Sequence, residues 1–164
     1  MDEYKANGGH NNVFIENMNC KSLIEAPLWK GRMKRILEKY ASEKNSPSLI
    51  VLLGQEAWAA YLSQDVKDLP EIPVLGGMVS RNFVEMPDSN CVVAEWNPES
   101  LDVYDRAKDY HVVGGYVYEY NIDKNIELIK RYYPDTKNIA LLSDNSYGCL
   151  LYTSDAADDG ESVD

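Results

Sequence analysis

The chain of 164 residues carries 27 acidic and 16 basic side chains, and a formal charge of −11 leaves no basic face for nucleic acid. Its apolar share of 45% is enough to bury a core of ordinary size, yet no run of about 18 apolar residues offers a membrane-spanning helix. Two His and three Cys, with no Cys-x-x-Cys spacing, carry no metal signature, and Cys20 and Cys91 read as unpaired, buried or half-buried thiols.

The first residues lack the pattern of a secretory signal peptide. They read as the end of a helix followed by a Gly8-Gly9 turn, so a preceding segment is expected in the natural protein. Val13 to Glu16 is β-rich and predicts a first strand. Trp29, Met33, Ile36, Leu37 and Tyr40 then fall on one face of a helix that opens near Pro27 and ends before Asn45-Ser46-Pro47. Ser48 to Leu53 is a continuous apolar run closed by Gly54, which predicts a strand buried on both faces. These three segments form one βαβ unit.

A second helix is predicted over Gln55 to Leu62, and the chain passes Pro70 and Pro73 into a strand at Val74-Leu75. Cys91 to Ala94 predicts a further strand, and Ser100 to Lys108 a short helix after Pro98. The β-branched and aromatic run from His111 to Tyr120, interrupted by Gly114-Gly115, reads as a strand. Asn121 is placed to cap a helix whose Ile122, Ile126, Ile129 and Tyr133 share a face until Pro134 stops it. Asn138 to Leu142 predicts a buried strand, and Ser143 to Ser146 the cap of one more helix.

The stretch from Cys149 to Asp164 resembles translated sequencing adapter, one frame of a transposase mosaic end. It is therefore expected to be foreign to the fold and to replace the helix after Ser146. Without its five acids the charge is −6, still acidic.

Alternating strands and helices predict a doubly wound α/β sheet, in which ligands sit beyond the carboxyl ends of the strands. The candidates there are Glu16, Asn17 and Asn19 after the first strand, Gln55 and Glu56 after the second, Ser80 and Arg81 after the third, and Asp144, Asn145 and Tyr147 after the last. Each has a structural alternative. Asp144 and Asn145 suit a helix cap, Glu56 a helix N-terminus, and Arg81 a surface pair with Glu85. There is no G-x-S-x-G, P-loop, H-E-x-x-H or G-x-G-x-x-G, so no catalytic residue, cofactor or metal is assigned.

The segments FIENMNCKSLIEAPLWKGRMKRILEKY, PSLIVLLGQEAWAAYLSQ and NIELIKRYYPDTKNIALLSDNSYG resemble, in serial order, the periplasmic-binding-type sensor region of Bacteroidetes hybrid two-component histidine kinases. That region is similar to the substrate-binding proteins of ABC transporters. The resemblance implies a type I periplasmic-binding-protein-like fold. Residues 1–112 would form a first α/β lobe, without its first strand, and 113–148 the crossover and start of a second, with 149–164 as the foreign tail. It also implies a small-molecule ligand between the lobes, a sugar among the candidates, with Trp58, Trp96, Tyr118 and Tyr147 available to stack on it or to serve as core.

The longer protein would be membrane-anchored and dimeric, with this region on the periplasmic side of the inner membrane and its kinase modules beyond Gly148. A transporter's substrate-binding protein is one alternative. A cytoplasmic response-regulator-like or nucleotide-binding protein, with Asp144 as phosphoacceptor, is another. With an incomplete second lobe, the 164-residue chain is expected to leave apolar surface on the Ile122 helix and the Asn138 strand, to bind no ligand tightly and to melt with poor cooperativity.

Overall fold

A computed structural model describes residues 5–9, 12–41, 46–119, 121–140, 142 and 146–151. A parallel sheet in the order β1-β2-β5 is built from β1 (Ile50–Leu53), β2 (Val74–Ser80) and β5 (Val112–Tyr118). Helices α1 (Ala26–Tyr40) and α2 (Gln55–Leu62) precede and follow β1, and α2 packs on β1 and β2. A two-stranded antiparallel ribbon, β3 (Asn82–Val84) with β4 (Ser100–Asp102), leads through a single helical turn, α3 (Val103–Arg106), to β5. Helix α4 (Ile122–Tyr132) follows. The protein is thus a mixed α/β fold around a parallel sheet.

The helices form where periodicity places them. In α1, Pro27 occupies the first turn, where its missing N–H costs nothing, and Trp29, Met33 and Leu37 are buried along one stripe. In α2, Trp58 through Leu62 are all buried because the helix is enclosed between α1, the sheet and β3. Its C-terminal end is satisfied by side chains. Ser63 Oγ donates to the Ala59 carbonyl at 2.6 Å and accepts from Met86 N at 2.7 Å, while Gln64 Nε2 donates to the Ala60 and Lys30 carbonyls. Tyr110 Oη donates to the Gln64 carbonyl, and Tyr61 Oη to the Tyr110 carbonyl. This network ties the exit of α2 to the entrance of β5, and burial pushes the Tyr61 phenol up to about 12. Asn121 caps α4 as expected, its side chain accepting from Lys124 N at 3.0 Å.

Several expectations are corrected. Val13 to Glu16 is not a strand. It is coil with Phe14 and Ile15 exposed, held beside α1 by a Phe14–Tyr40 ring contact and by Glu16, and among the described residues no strand pairs its backbone. β1 is buried on one face only, since Leu52 is 6% exposed but Val51 53% and Leu53 71%. Register places Val51 and Leu53 beside Leu75 and Gly77, on the face opposite α2, so that among the described residues this part of the sheet face lacks the cover that double winding requires.

Cys91 to Ala94 is not a strand either. A turn closed by Cys91 N onto the Asp88 carbonyl leads into a short 3₁₀ turn at Val93–Glu95. Ser100 to Lys108 divides into β4 and α3, because pairing with β3 extends the first three residues and Asp102 then caps Tyr104 N. Of the predicted strand Asn138 to Leu142, the described residues 138–140 and 142 are coil, and Leu142 is 94% exposed, since among the described residues no sheet edge receives them.

Residues 147–151 are helical. Ser146 Oγ accepts from Cys149 N at 3.4 Å, and Leu151 is fully buried in the main core, so the first three residues of the adapter-like stretch continue a helix at the place where one was expected to be lost. Residues 152–164 lie outside the described residues. Cys20 and Cys91 are unpaired and half-buried, as expected, and Cys149 is half-buried too.

Candidate functional site

Because β1, β2 and β5 are parallel, their carboxyl ends lie along one edge of the sheet, and the polar residues that follow them converge. β1 ends at Gly54, whose φ of +86° turns the chain into α2 while its N–H stays bonded to the Gly77 carbonyl at 3.1 Å. That turn presents Gln55, whose Nε2 donates to Tyr118 Oη at the end of β5. β2 ends at Ser80, buried with its hydroxyl donating to the Asn82 carbonyl, and the chain turns outward at Arg81. The Arg81 N–H donates to the Tyr118 carbonyl at 2.8 Å, so β5 positions the backbone from which the guanidinium departs.

Arg81 is the hub of this edge. Its Nε and Nη2 reach Asp102 Oδ2 at 2.8 and 2.6 Å, its Nη1 reaches Glu119 Oε1 at 2.8 Å, and its guanidinium carbon lies 5.1 Å from the centre of the Tyr104 ring. The two carboxylates raise the guanidinium further above its already high range, and Arg81 holds the Asp102 carboxyl below its usual value. Arg81, Asn82, Asp102 and Glu119 line an open cleft of about 300 Å³. One cation against two anions makes it a net acidic, hydrogen-bonding cleft, suited to reading hydroxyl and amide groups rather than to neutralising an anion.

The same pair sets an acid response. Asp102 is depressed in the folded state, so the stability it contributes is complete above the unfolded value, near 3.8, and is lost as pH falls through the lower folded value. Urea midpoints at about pH 5 and about pH 3 are expected to differ less in Asp102→Asn than in the parent chain. Equal pH dependence in the two proteins would remove Asp102 from that role.

The predicted site residues divide. Gln55, Ser80 and Arg81 lie together at the strand ends, and Glu56 follows on the first turn of α2. Arg81 pairs with Asp102 and Glu119, while Glu85 pairs with Arg106, since the β3–β4 ribbon brings Asp102 alongside Arg81. Glu16 bonds Lys39 and Tyr40 at the far end of α1, and Lys39 first, Tyr40 second, hold its carboxyl below the usual range. Asn17 Oδ1 accepts from Asn19 N, and the Asn19 carbonyl accepts from Arg32, so this loop is organised by α1. Next to it, burial and the nearby Glu56 carboxylate push the Cys20 thiol up to about 11, which keeps it protonated at neutral pH.

Asp144 and Asn145 lie outside the described residues. Tyr147 is a core residue. Its ring meets Trp29 edge-on, and its hydroxyl accepts from Val84 N at 2.8 Å and donates to the Val84 carbonyl at 3.1 Å. Trp58 is likewise buried, and Trp96 lines a separate cleft with Met86, Pro87 and Leu101.

Sequence reasoning missed Glu119, although it directly follows a predicted strand and the strand-end rule reaches it. Asn82, Asp102 and Tyr104 gave no such signal, because only the ribbon brings them to Arg81. Among the described residues, no group of His, Cys, Asp and Glu is arranged to hold a metal ion, and no helix is long and apolar enough to cross a membrane. No family model matches the chain, and no curated protein or solved structure matches it.

Proposed function

We propose that residues 1–112 are the first lobe, and 113–148 the start of the second, of a type I periplasmic-binding-protein-like domain that senses a small molecule for a hybrid two-component histidine kinase. The domain works on the periplasmic side of the inner membrane and performs no chemistry of its own. One observation carries this reading: Arg81 and Glu119, just past the ends of adjacent parallel strands β2 and β5, line one cleft with Asn82 and Asp102, while Gln55, just past the end of β1, bonds Tyr118 at the end of β5. The net acidic hydrogen-bonding surface suits a neutral polyhydroxylated ligand, a sugar in the first instance. The second lobe would close over it, and closure can be shifted only by the ligand's greater affinity for the closed form.

A single lobe offers half of the contacts, so binding to this chain is expected in the millimolar range, about −4 kcal/mol. Titrating ¹⁵N-labelled chain with a panel of neutral sugars, sugar acids and amino acids should move the amides of Gln55, Arg81 and Glu119 saturably for a neutral sugar. Glu119→Gln, at a side chain 56% exposed, should weaken that binding about tenfold without unfolding the chain. Shifts that map elsewhere, or the absence of saturable shifts with every compound, would overturn the proposal.

A further inference from the structure

The β3–β4 ribbon has two ends, and each carries a cleft. Asn82 and Asp102, a register pair, sit at the end next to Arg81, whereas Val84 pairs with Ser100 at the other. There Glu85 directly follows β3 and Glu99 directly precedes β4, so strand pairing brings the two carboxylates to one place. They line a second open cleft, of about 340 Å³. Its floor is apolar. Met86 is 1% exposed, Pro87 is buried, and the half-buried Leu101 and Trp96 line the cleft while packing on the edge of the main core. Of the three indoles in the chain, those of Trp29 and Trp58 are enclosed, so Trp96 is the one a solute can reach.

The charges around this floor are unequal. Lys30 Nζ lies 2.8 Å from Asp88 Oδ1, and Arg106 Nη1 lies 3.4 Å from Glu85 Oε2, so both cations are already neutralised by carboxylates of the same cleft. Among the described residues no cation meets Glu99, an exposed carboxylate three positions from Trp96. An anion would have to displace Asp88 or Glu85 to reach a positive charge. A neutral solute would leave the Glu99 charge unused. A cation finds an unpaired carboxylate and an aromatic ring together, on a chain whose net negative charge draws cations toward it.

We propose that this cleft binds a small organic cation, an alkyl or quaternary ammonium. Its aliphatic groups rest on Met86, Pro87 and Leu101, and its charge lies between the Trp96 ring and the Glu99 carboxylate. Ligand binding at the Arg81 cleft is not required for it.

Choline and dimethylbutanol, its uncharged carbon isostere, test this on the full 164-residue chain labelled with ¹⁵N. At constant ionic strength, choline should move the Trp96 indole N–H resonance saturably, with a dissociation constant in the millimolar range, and leave the Trp29 and Trp58 indoles in place. Dimethylbutanol should bind at least about tenfold more weakly, because it keeps the shape and loses the charge. Glu99→Gln, at an exposed side chain, should weaken choline binding about fivefold and flatten its dependence on salt. Trp96→Phe, read at the Glu99 and Leu101 amides, should weaken it about threefold, since a phenyl ring is a poorer partner for a cation than an indole. If the phenyl disturbs the packing and lowers the urea midpoint, Glu99→Gln alone decides. The proposal is overturned by the absence of a saturable shift, by equal binding of choline and dimethylbutanol, by shifts centred on Arg81 and Glu119, or by a choline affinity that Glu99→Gln leaves unchanged.

Discussion

Gly115→Ala is expected to detach β5 from the sheet and to cost at least about 3 kcal/mol of stability. A methyl group at that position would lie 2.0 Å from the Gly76 carbonyl oxygen and 2.7 Å from Gly76 N, contacts that only backbone movement relieves. The backbone there also has φ of +149°, which an L side chain rarely adopts. Gly76 and Gly115 are register partners, so the two strands approach closely because neither has a side chain on that side. Gly114→Ala is the control. Its methyl would meet only Leu75 Cδ2 at 3.8 Å, an ordinary contact, and its cost should be confined to the backbone.

Urea denaturation of the two variants and hydrogen exchange of the 112–118 amides would read the difference. Equal stabilities would sink the explanation. The consequence reaches the cleft, because β5 delivers Tyr118 and Glu119 to Gln55 and Arg81.

The second large effect is expected at Trp58, 1% exposed at the centre of α2. Its ring lies 3.2 Å from where a Gly76 methyl would sit, so the indole fills the volume that the glycine leaves empty above β2. Trp58→Ala should cost about 3–5 kcal/mol through lost burial and a cavity that the surrounding strands cannot close. Trp58→Phe should cost much less. The indole N–H has no hydrogen-bond partner among the described residues, so exchanging it for a phenyl edge removes a buried, unsatisfied donor worth about 1–3 kcal/mol and offsets part of the lost volume. If Phe destabilises as much as Ala, the ring's volume is not what holds helix and sheet together.

These sites also show where sequence was informative. The stripe Trp29, Met33, Leu37 on α1, the cap at Asn121 and the strands around Val51, Val74 and Val117 were legible because each depends on neighbours within a few residues. The same rules failed at Val13 to Glu16, at Cys91 to Ala94 and at Asn138 to Leu142. Those runs have strand composition, but a strand exists only where another strand accepts its hydrogen bonds. The β3–β4 ribbon went unseen for the converse reason. Its two three-residue strands carry little pattern, and each is held by the other across fifteen intervening positions.

The strand-end rule found Gln55, Ser80 and Arg81 at the strand ends, since their place follows from chain order alone, and of these Arg81 lines the cleft. It had no means of pairing Arg81 with Asp102 and Glu119 rather than with Glu85. It also placed Tyr147 at a ligand when its hydroxyl closes on Val84. By itself the sequence determined the helices, their buried faces and the alternation that makes the sheet parallel, because these rest on local side-chain period and short connections. Tertiary structure alone decided which strands exist, which face of the sheet stays bare and which charges meet, because each depends on a partner distant in the chain whose approach is set by packing.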